Sequence, residues 1–448
     1  MVEKSPAVDI IIVNYNGMAH LPSCLESVFR TDYSVFSVIV VDNASEDGSP
    51  EWVNENYPTV RLIQNETNLG FGKANMIGVQ AGCSPLAAFL NSDTRVTRNW
   101  LASLVQEIQE DESIGAVCSK LLFMRNPRVL NSAGGGMNFV GYGYDIGIFE
   151  IDNGRFDQKK EVFFPCAAAC LLKKSALQEV GGFDDQFFMY HEDVDLGWRF
   201  HLKGYKIRYV PTSVVYHAFG GTSIKSGGMA FRNRLGQRHA LRSLLKNYEF
   251  STLTKTLPIF LSLGFRNAIR ERSLDFVRCV YWNLEKLPDT LRMRKRIQNS
   301  RKIRDRQLIP LIWQDVALPF QFPDYEGFTL ESFLKSRNRR SCVEMAKKDS
   351  AALGYGWHAP EADFRDPAIC YRWSKEEAVF YLWNPFGDGV FEMEVLALSD
   401  TLRCPRKFFV SINGDAPHEF SIESDEWETI RLSHTSEKGP LEVKLSVE

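Results

Sequence analysis

The sequence lacks the marks of several common protein classes. None of its nine cysteines stands in a CxxC pair or in a Cys/His spacing that would build structural zinc, and an odd number cannot all pair within one chain. Reduced thiols are expected. Residues 1–8 hold no basic segment leading into an apolar core, and 8–13 is too short to be one, so no secretory leader is expected. No run approaches the ~18 apolar residues of a membrane-spanning helix, which predicts a cytoplasmic chain. The glycines of 68–75 (NLGFGKAN) complete neither the dinucleotide fingerprint nor the Walker pattern.

What is present is unevenly distributed. The net charge is only -3, yet residues 225–306 hold 20 Lys/Arg against 6 Asp/Glu, a stretch suited to an anionic partner. At 448 residues the chain exceeds one ordinary core, so two or three units are expected. Apolar runs at 8–13, 37–41, 60–63 and 86–90 read as buried parallel strands, and 21–29, 50–57 and 74–81 have helical spacing. This βαβαβαβ series predicts a doubly wound α/β sheet. A glycine-rich stretch, 134–147, follows. The spacing then predicts a helix over 194–202 ended by Gly204, a strand over 205–210 and a short strand ending at His217. Residues 225–310 read as basic helices, with an apolar patch of Leu257, Ile259, Phe260, Leu261, Leu263 and Phe265. Strand-like runs at 378–383, 390–398, 407–412 and 441–447, separated by turns such as Asn413-Gly414, predict a C-terminal antiparallel β-sandwich. The resulting division is 1–224, 225–344 and 345–448.

Ligands of doubly wound sheets bind beyond the carboxyl ends of the strands. Asn14, Tyr15 and Asn16 lie at the first such end, Asp42 and Asn43 at the second, and Asn91, Ser92 and Asp93 at the fourth. Asp42-Asn43 can take hydrogen bonds from a base and a ribose, or serve as ordinary turn and cap residues. Asp93 can hold Mg²⁺ or Mn²⁺ against a diphosphate, or cap the helix ahead of Trp100. In His191-Glu192-Asp193-Val194-Asp195, one carboxylate can act as a general base, or all three can complement a helix dipole. His217 can equally be a packing histidine. Trp357, Trp373 and Trp383 offer rings for sugar stacking or for a core.

Taken in order, VNYNG, VDNAS, NLGFGKAN, NSD, GGFDDQFFMYHEDVDLGWRFHLKG and VVYH resemble inverting family-2 glycosyltransferases, the rhamnosyl- and galactofuranosyltransferase-like members above all. The likeness spans about residues 8–222. It implies a glycosyltransferase A-type fold, with the basic helical region and the β-sandwich following it. Asp193 would be the base and Asp93 and His217 the ligands of Mg or Mn. The donor nucleotide would meet Asn14, Tyr15, Asn16, Asp42, Asn43, Asn68, Gly70, Lys73, Asn75, Asn91 and Ser92. Glu192, Asp195 and Trp198 would lie on the acceptor side. Asn91 departs from the family's acidic first metal position.

The expected activity is inverting transfer of a sugar, rhamnose first, from a UDP- or dTDP-sugar to a hydroxyl of a polyprenyl-diphosphate-linked or polysaccharide acceptor of a bacterial surface such as O-antigen. The expected location is the inner face of the cell membrane, bound peripherally to anionic lipid through the basic region; nucleic acid is not an expected partner. The β-rich end would bind carbohydrate or position the acceptor. Two rivals are a sugar nucleotidyltransferase, which would carry a glycine-rich, basic loop after the first strand where this chain has VNYNGMAH, and a non-catalytic carbohydrate-binding protein, which only Asn91 favours.

Overall fold

The computed structural model describes residues 5–315 apart from 125, 149, 151, 153, 219–227 and 271, together with segments 357–362, 370–374, 377–384, 389–395, 406–422, 428–434 and 439–447. Two compact units are present, Met1–Pro319 and Phe320–Glu448. The sequence-derived boundary at 344/345 lies outside the described residues.

The first unit opens as the apolar periodicity dictates: β1 (Val8–Asn14), α1 (Leu21–Phe29), β2 (Phe36–Asp42), α2 (Ser49–Asn56), β3 (Arg61–Gln64), α3 (Phe71–Ala81) and β4 (Leu86–Asn91). Strands β3, β2, β1 and β4 lie side by side in that order and are parallel. Both faces of β1 are covered: Ile10 and Ile12 enter one apolar cluster and Ile11 the other. This explains a strand of nearly continuous apolar character.

Beyond β4 the elements are β5 (Thr94–Val96), α4 (Trp100–Gln109), β6 (Ile114–Phe123), β7 (Asn126–Ser132), β8 (Gly135–Asn138), β9 (Gly143–Asp145), β10 (Lys160–Glu161), β11 (Ala169–Lys173), α5 (Lys174–Val180), α6 (Glu192–Leu202) and β12 (Lys206–His217). The sheet continues past β4 as β11, β6, β12 and β10, with β11 antiparallel to both neighbours. This mixed sheet is the glycosyltransferase A-type arrangement. The two strands expected over 205–217 are one strand, β12. Its pairing with β6 shifts register between Val210 and Val214, where Pro211 lacks the N–H that a regular ladder needs.

The basic segment forms α7 (Gly228–Asn247), α8 (Phe250–Arg270), α9 (Asp275–Glu285) and α10 (Leu287–Ser300) within the same unit. A third apolar cluster joins Leu241 and Leu244 of α7, Tyr248 just after it, and Phe260 and Phe276 of the next two helices to Trp198 and Leu202 of α6. A short β13 (Ile312–Trp313) returns to pair with β8. Among the described residues no helix is long and apolar enough to cross a membrane.

The second unit is antiparallel β throughout its described strands. β14 (Trp357–Ala362) pairs with β15 (Cys370–Ser374), and β17 (Gly389–Val395) with β20 (Glu428–His434). The third group, in spatial order, is β16 (Glu377–Asn384), β21 (Gly439–Val447), β18 (Arg406–Ile412) and β19 (His418–Ile422). Asn413 and Gly414 both have positive φ, 52° and 83°, as a tight turn between β18 and β19 requires. The side chains of Trp357, Trp373 and Trp383 lie outside the described residues.

Candidate active site

The polar ends of β1 and β2 interlock. Asn14 Nδ2 donates to Asp42 Oδ1 at 2.8 Å and to Ser49 Oγ at 2.8 Å. Asp42 Oδ1 also accepts from Ser45 Oγ at 2.6 Å and Oδ2 from the Ser45 N–H at 2.9 Å. Three of about four acceptor positions on this buried carboxylate are therefore used. Asn43 donates to the Gly70 carbonyl and accepts from Asn65. Tyr15 is exposed, and Asn16, in a left-handed conformation at φ 50°, accepts from the Glu46 N–H. Turn-building and a rim that can face a nucleotide thus share one strand end.

The loop before α3 has a packing reason for its first glycine. A Cβ on Gly70, at φ 82°, would lie 2.2 Å from the Phe188 carbonyl oxygen, and the Phe71 N–H donates to that same oxygen at 2.8 Å. Asn68 Oδ1 caps the Gly70 N–H at 2.9 Å. Lys73 is exposed on the first turn of α3. Asn75 is not on the rim: it is buried and donates to the Phe71 carbonyl one turn back.

Asp93 does not cap a helix. β5 intervenes, and α4 begins only at Trp100 with Asn99 before it. Instead Asp93 Oδ1 stands 3.2 Å from His217 Nε2, because β5 pairs with the end of β12. His217 Nδ1 donates to Asn131 Oδ1 at 2.8 Å, which leaves Nε2 turned toward the carboxylate. An imidazole nitrogen and a carboxylate oxygen set so close can share a divalent cation. Burial pushes the Asp93 carboxyl up, but the imidazole beside it outweighs this and holds it below the usual carboxylate value. Asn91 Nδ2 lies 3.5 Å from His217 Nε2, and Ser92 Oγ faces Gly17 on the same rim. Among the described residues no group of three or more His, Cys, Asp and Glu surrounds one point. An imidazole and a carboxylate fit Mg²⁺ or Mn²⁺ when phosphate oxygens and water complete the shell.

Asp193 enters this rim from α6. Its carboxyl accepts from the N–H groups of Val194 and Ala167, and the neighbouring Ala168 carbonyl accepts the Asn91 N–H at 2.9 Å. Two consecutive residues ahead of β11 thereby tie Asp193 to the end of β4. Burial raises the Asp193 carboxyl to about 7, aided by the negative charge of Asp145 and opposed by those backbone donors. Glu192 is pushed up to about 8, first by burial and then by Asp193, and its Oε2 is buried without a hydrogen-bond partner.

Asp195 and Trp198, expected on the acceptor side, are interior. Asp195 has no exposed surface and accepts from Arg199, Ser243, Lys246 and Asn247. A carboxylate so deeply buried is held only by such charge pairing. Trp198 is equally enclosed, edge-on to Tyr248 at 4.4 Å and packed on Phe163. The periodicity of α6 carries the reason: positions 194, 198 and 202 form its stripe toward α7.

Several contributors escaped the sequence reading. Asp184 takes Arg242 Nε at 2.8 Å and the Lys246 ammonium, while Arg199 donates to the Val180 and Gly182 carbonyls. His239 Nδ1 donates to the Tyr190 carbonyl at 2.7 Å and its ring stacks on Phe187 at 4.3 Å. These contacts hold Tyr190 and His191, both non-glycine residues at positive φ (66° and 73°), directly ahead of Asp193. Asp145 and Asn131 were also missed. The one available signal was that Asp145 is the sole acid of the glycine-rich stretch 134–147.

The glycosyl transferase family 2 model matches residues 9–181. N-acetylglucosaminyl-diphospho-decaprenol L-rhamnosyltransferase of Mycobacterium tuberculosis (strain ATCC 25618 / H37Rv) is 30% identical over 244 residues, 46% of this chain and 75% of that protein. Poly-beta-1,6-N-acetyl-D-glucosamine synthase of Staphylococcus aureus (strain N315) is 25% identical over 273 residues, 58% of this chain and 61% of the synthase. Similar solved structures include S. aureus TarS 1-349 in complex with UDP, with a TM-score of 0.43, 16% identity and coverage of 71% of this chain and 97% of that one. GalNAc-T7 with UDP, GalNAc and Mn²⁺ gives a TM-score of 0.45 at 17% identity, over 56% of this chain and about half (49%) of that one. The chain belongs to glycosyl transferase family 2 and is a glycosyltransferase.

Proposed function

We propose that this glycosyltransferase moves a sugar, rhamnose first, with inversion from a UDP- or dTDP-sugar to a hydroxyl of a polyprenyl-diphosphate-linked acceptor of a bacterial surface polysaccharide. The observation that carries the reading is the Asp93–His217 contact beyond β4 and β12, with Asp193 bonded to Ala167, whose neighbour Ala168 holds Asn91 at the end of β4. The mycobacterial relative, a rhamnosyltransferase named for a decaprenol diphosphate substrate, supports the sugar and the acceptor class.

In this reading Asp193 takes the proton of the acceptor hydroxyl as that oxygen attacks the anomeric carbon, and a value near 7 matches such a base to neutral pH. Asp93 Oδ1 and His217 Nε2 would hold Mg²⁺ or Mn²⁺, with Asn131 fixing the imidazole and Asn91 offering an amide. The ion would supply neutralising charge to the leaving diphosphate. Asp42, through its remaining lone pair, and Tyr15, Asn16, Asn43 and Ser92 would frame the nucleotide, with Asn68, Gly70 and Lys73 along its edge and Glu192 on the acceptor side. Residues 1–224 would carry the chemistry, 225–344 would attach it to the inner face of the membrane, and 345–448 would bind carbohydrate or position the acceptor.

Purified protein given a panel of nucleotide sugars, with and without EDTA, tests this. EDTA-sensitive release of a nucleoside diphosphate, greatest with a rhamnosyl donor, is the expected result. Pyrophosphate made from a nucleoside triphosphate would instead indicate a nucleotidyltransferase, and neither product a carbohydrate-binding protein.

A further inference from the structure

The sequence assigns the apolar contact of the basic region to 257–265, but the fold uses much of that patch internally. Phe260 is fully buried, and Leu257 and Leu261 pack against the third cluster. A different surface is left uncovered. α9 is two-sided: Phe276, Cys279 and Asn283 face inward, Cys279 and Asn283 bonding the Arg234 and Arg238 carbonyls of α7. Val277, Tyr281 and Leu284, at helical spacing, form its outer stripe. Leu274, just before α9, continues this spacing, and Ile269, at the end of α8 five residues earlier, is also exposed. Ile269 is 79% exposed, Leu274 65%, Tyr281 63% and Leu284 61%. The two helices are in contact here, since the Phe265 ring meets Phe276 edge-on at 5.2 Å. So many neighbouring exposed apolar side chains exceed the single ones that normally dot a surface.

Charge selects the occupant. Over residues 266–278 the sequence carries four arginines, Arg266, Arg270, Arg272 and Arg278, against two acids, Glu271 and Asp275. A second copy of the chain seated symmetrically on this stripe would bring these arginines together. A sheet of anionic headgroups over hydrocarbon complements both features.

We propose that the α8–α9 turn and the outer face of α9 are the element by which this chain docks on an anionic lipid bilayer, inserting Ile269, Leu274, Tyr281 and Leu284 among the headgroups. The inference rests on the membrane-associated reading above and assigns it a surface. That surface connects to the acceptor side of the site. Trp282 of α9 lies under the Arg238 guanidinium at 4.5 Å, and the next residue, His239, holds the Tyr190 carbonyl ahead of Asp193. An acceptor anchored in the same bilayer would therefore approach beside the helix that fixes the catalytic loop.

The test uses the full chain and sedimentation with vesicles of phosphatidylcholine, with or without phosphatidylglycerol, at ~0.1 M salt. Wild type is expected to pellet only with the anionic vesicles. An Ile269→Asp/Leu284→Asp variant, altered at exposed positions and unchanged in melting temperature, should bind at least about tenfold more weakly. Ile269→Leu/Leu284→Ile should bind as wild type does. Failure of wild type to pellet would overturn the proposal, as would undiminished binding by the aspartate variant. So would a dimer that the aspartate substitutions dissociate, which would mean that a second copy of the chain covers the stripe. Vesicle binding does not require turnover, so loss of the transfer reading would register separately, as absent nucleoside diphosphate release.

Discussion

Replacing Asp193 with Asn keeps the shape of the side chain and removes the proton acceptor. Transfer is expected to fall by about 10²–10⁴-fold, while calorimetry should find nucleoside diphosphate affinity within about twofold of wild type. The same carboxyl sets the pH dependence. Since it must be ionised to act and its value is near 7, kcat/KM should rise as pH increases through that range. For stability the sign is opposite: a carboxyl raised in the folded state contributes most below its ordinary value and loses that contribution as pH rises through the folded one. Asp193→Asn should therefore be more stable than wild type at pH ~8, by on the order of 1–3 kcal/mol in urea titrations, with little difference at pH ~4. At the cation site, Asn131→Ala frees the imidazole to rotate and should weaken Mn²⁺ binding by about 10–100-fold. Asn91→Asp adds a negative ligand beside Asp93 and should lower the Mn²⁺ concentration needed for half activation. Asp93 and Asp193 were legible as acids at an element end, whereas Asn131, Ala167 and Ala168 were not. Those three act through backbone geometry or a single amide within strands and loops of ordinary composition.

The helices that follow the sheet are its brace as well as a surface. Arg242 and Lys246 of α7 belong to the basic stretch, yet they are wholly buried against Asp184 and Asp195, which flank the loop leading to Asp193. Removing one partner strands a buried charge, so Arg242→Met or Lys246→Met should destabilise the first unit by about 3–5 kcal/mol in denaturant titrations. Local patterning made α1 to α3 and the parallel strands readable, because period and burial coincide there. It could not reveal that α7 completes α6: an Asp at 195 and an Arg at 242 look like solvated charges until the fold brings them together. The same blindness put Asp195 and Trp198 on the acceptor side and Phe260 on the surface.

The whole molecule divides into two units, and the described strands of the second pair antiparallel, as the strand-like runs at 378–383, 390–398, 407–412 and 441–447 predict. The first unit keeps α7 to α10 with the sheet. A chain ending at residue 319 is therefore expected to melt cooperatively and to retain donor turnover, whereas one ending at residue 224 should fail to fold. Circular dichroism and nucleoside diphosphate release would distinguish the two.

Tyr190 and His191 hold left-handed backbone at a cost of ~1–3 kcal/mol each, restrained by a histidine some fifty residues downstream. During synthesis the sheet and all three proposed active-site groups leave the ribosome before α7 does. Until that helix emerges and docks, the loop lacks the bond from His239 to the Tyr190 carbonyl that restrains this shape. The newborn transferase should thus stay silent, unable to spend nucleotide sugar before the surface by which we propose it meets lipid has also been translated.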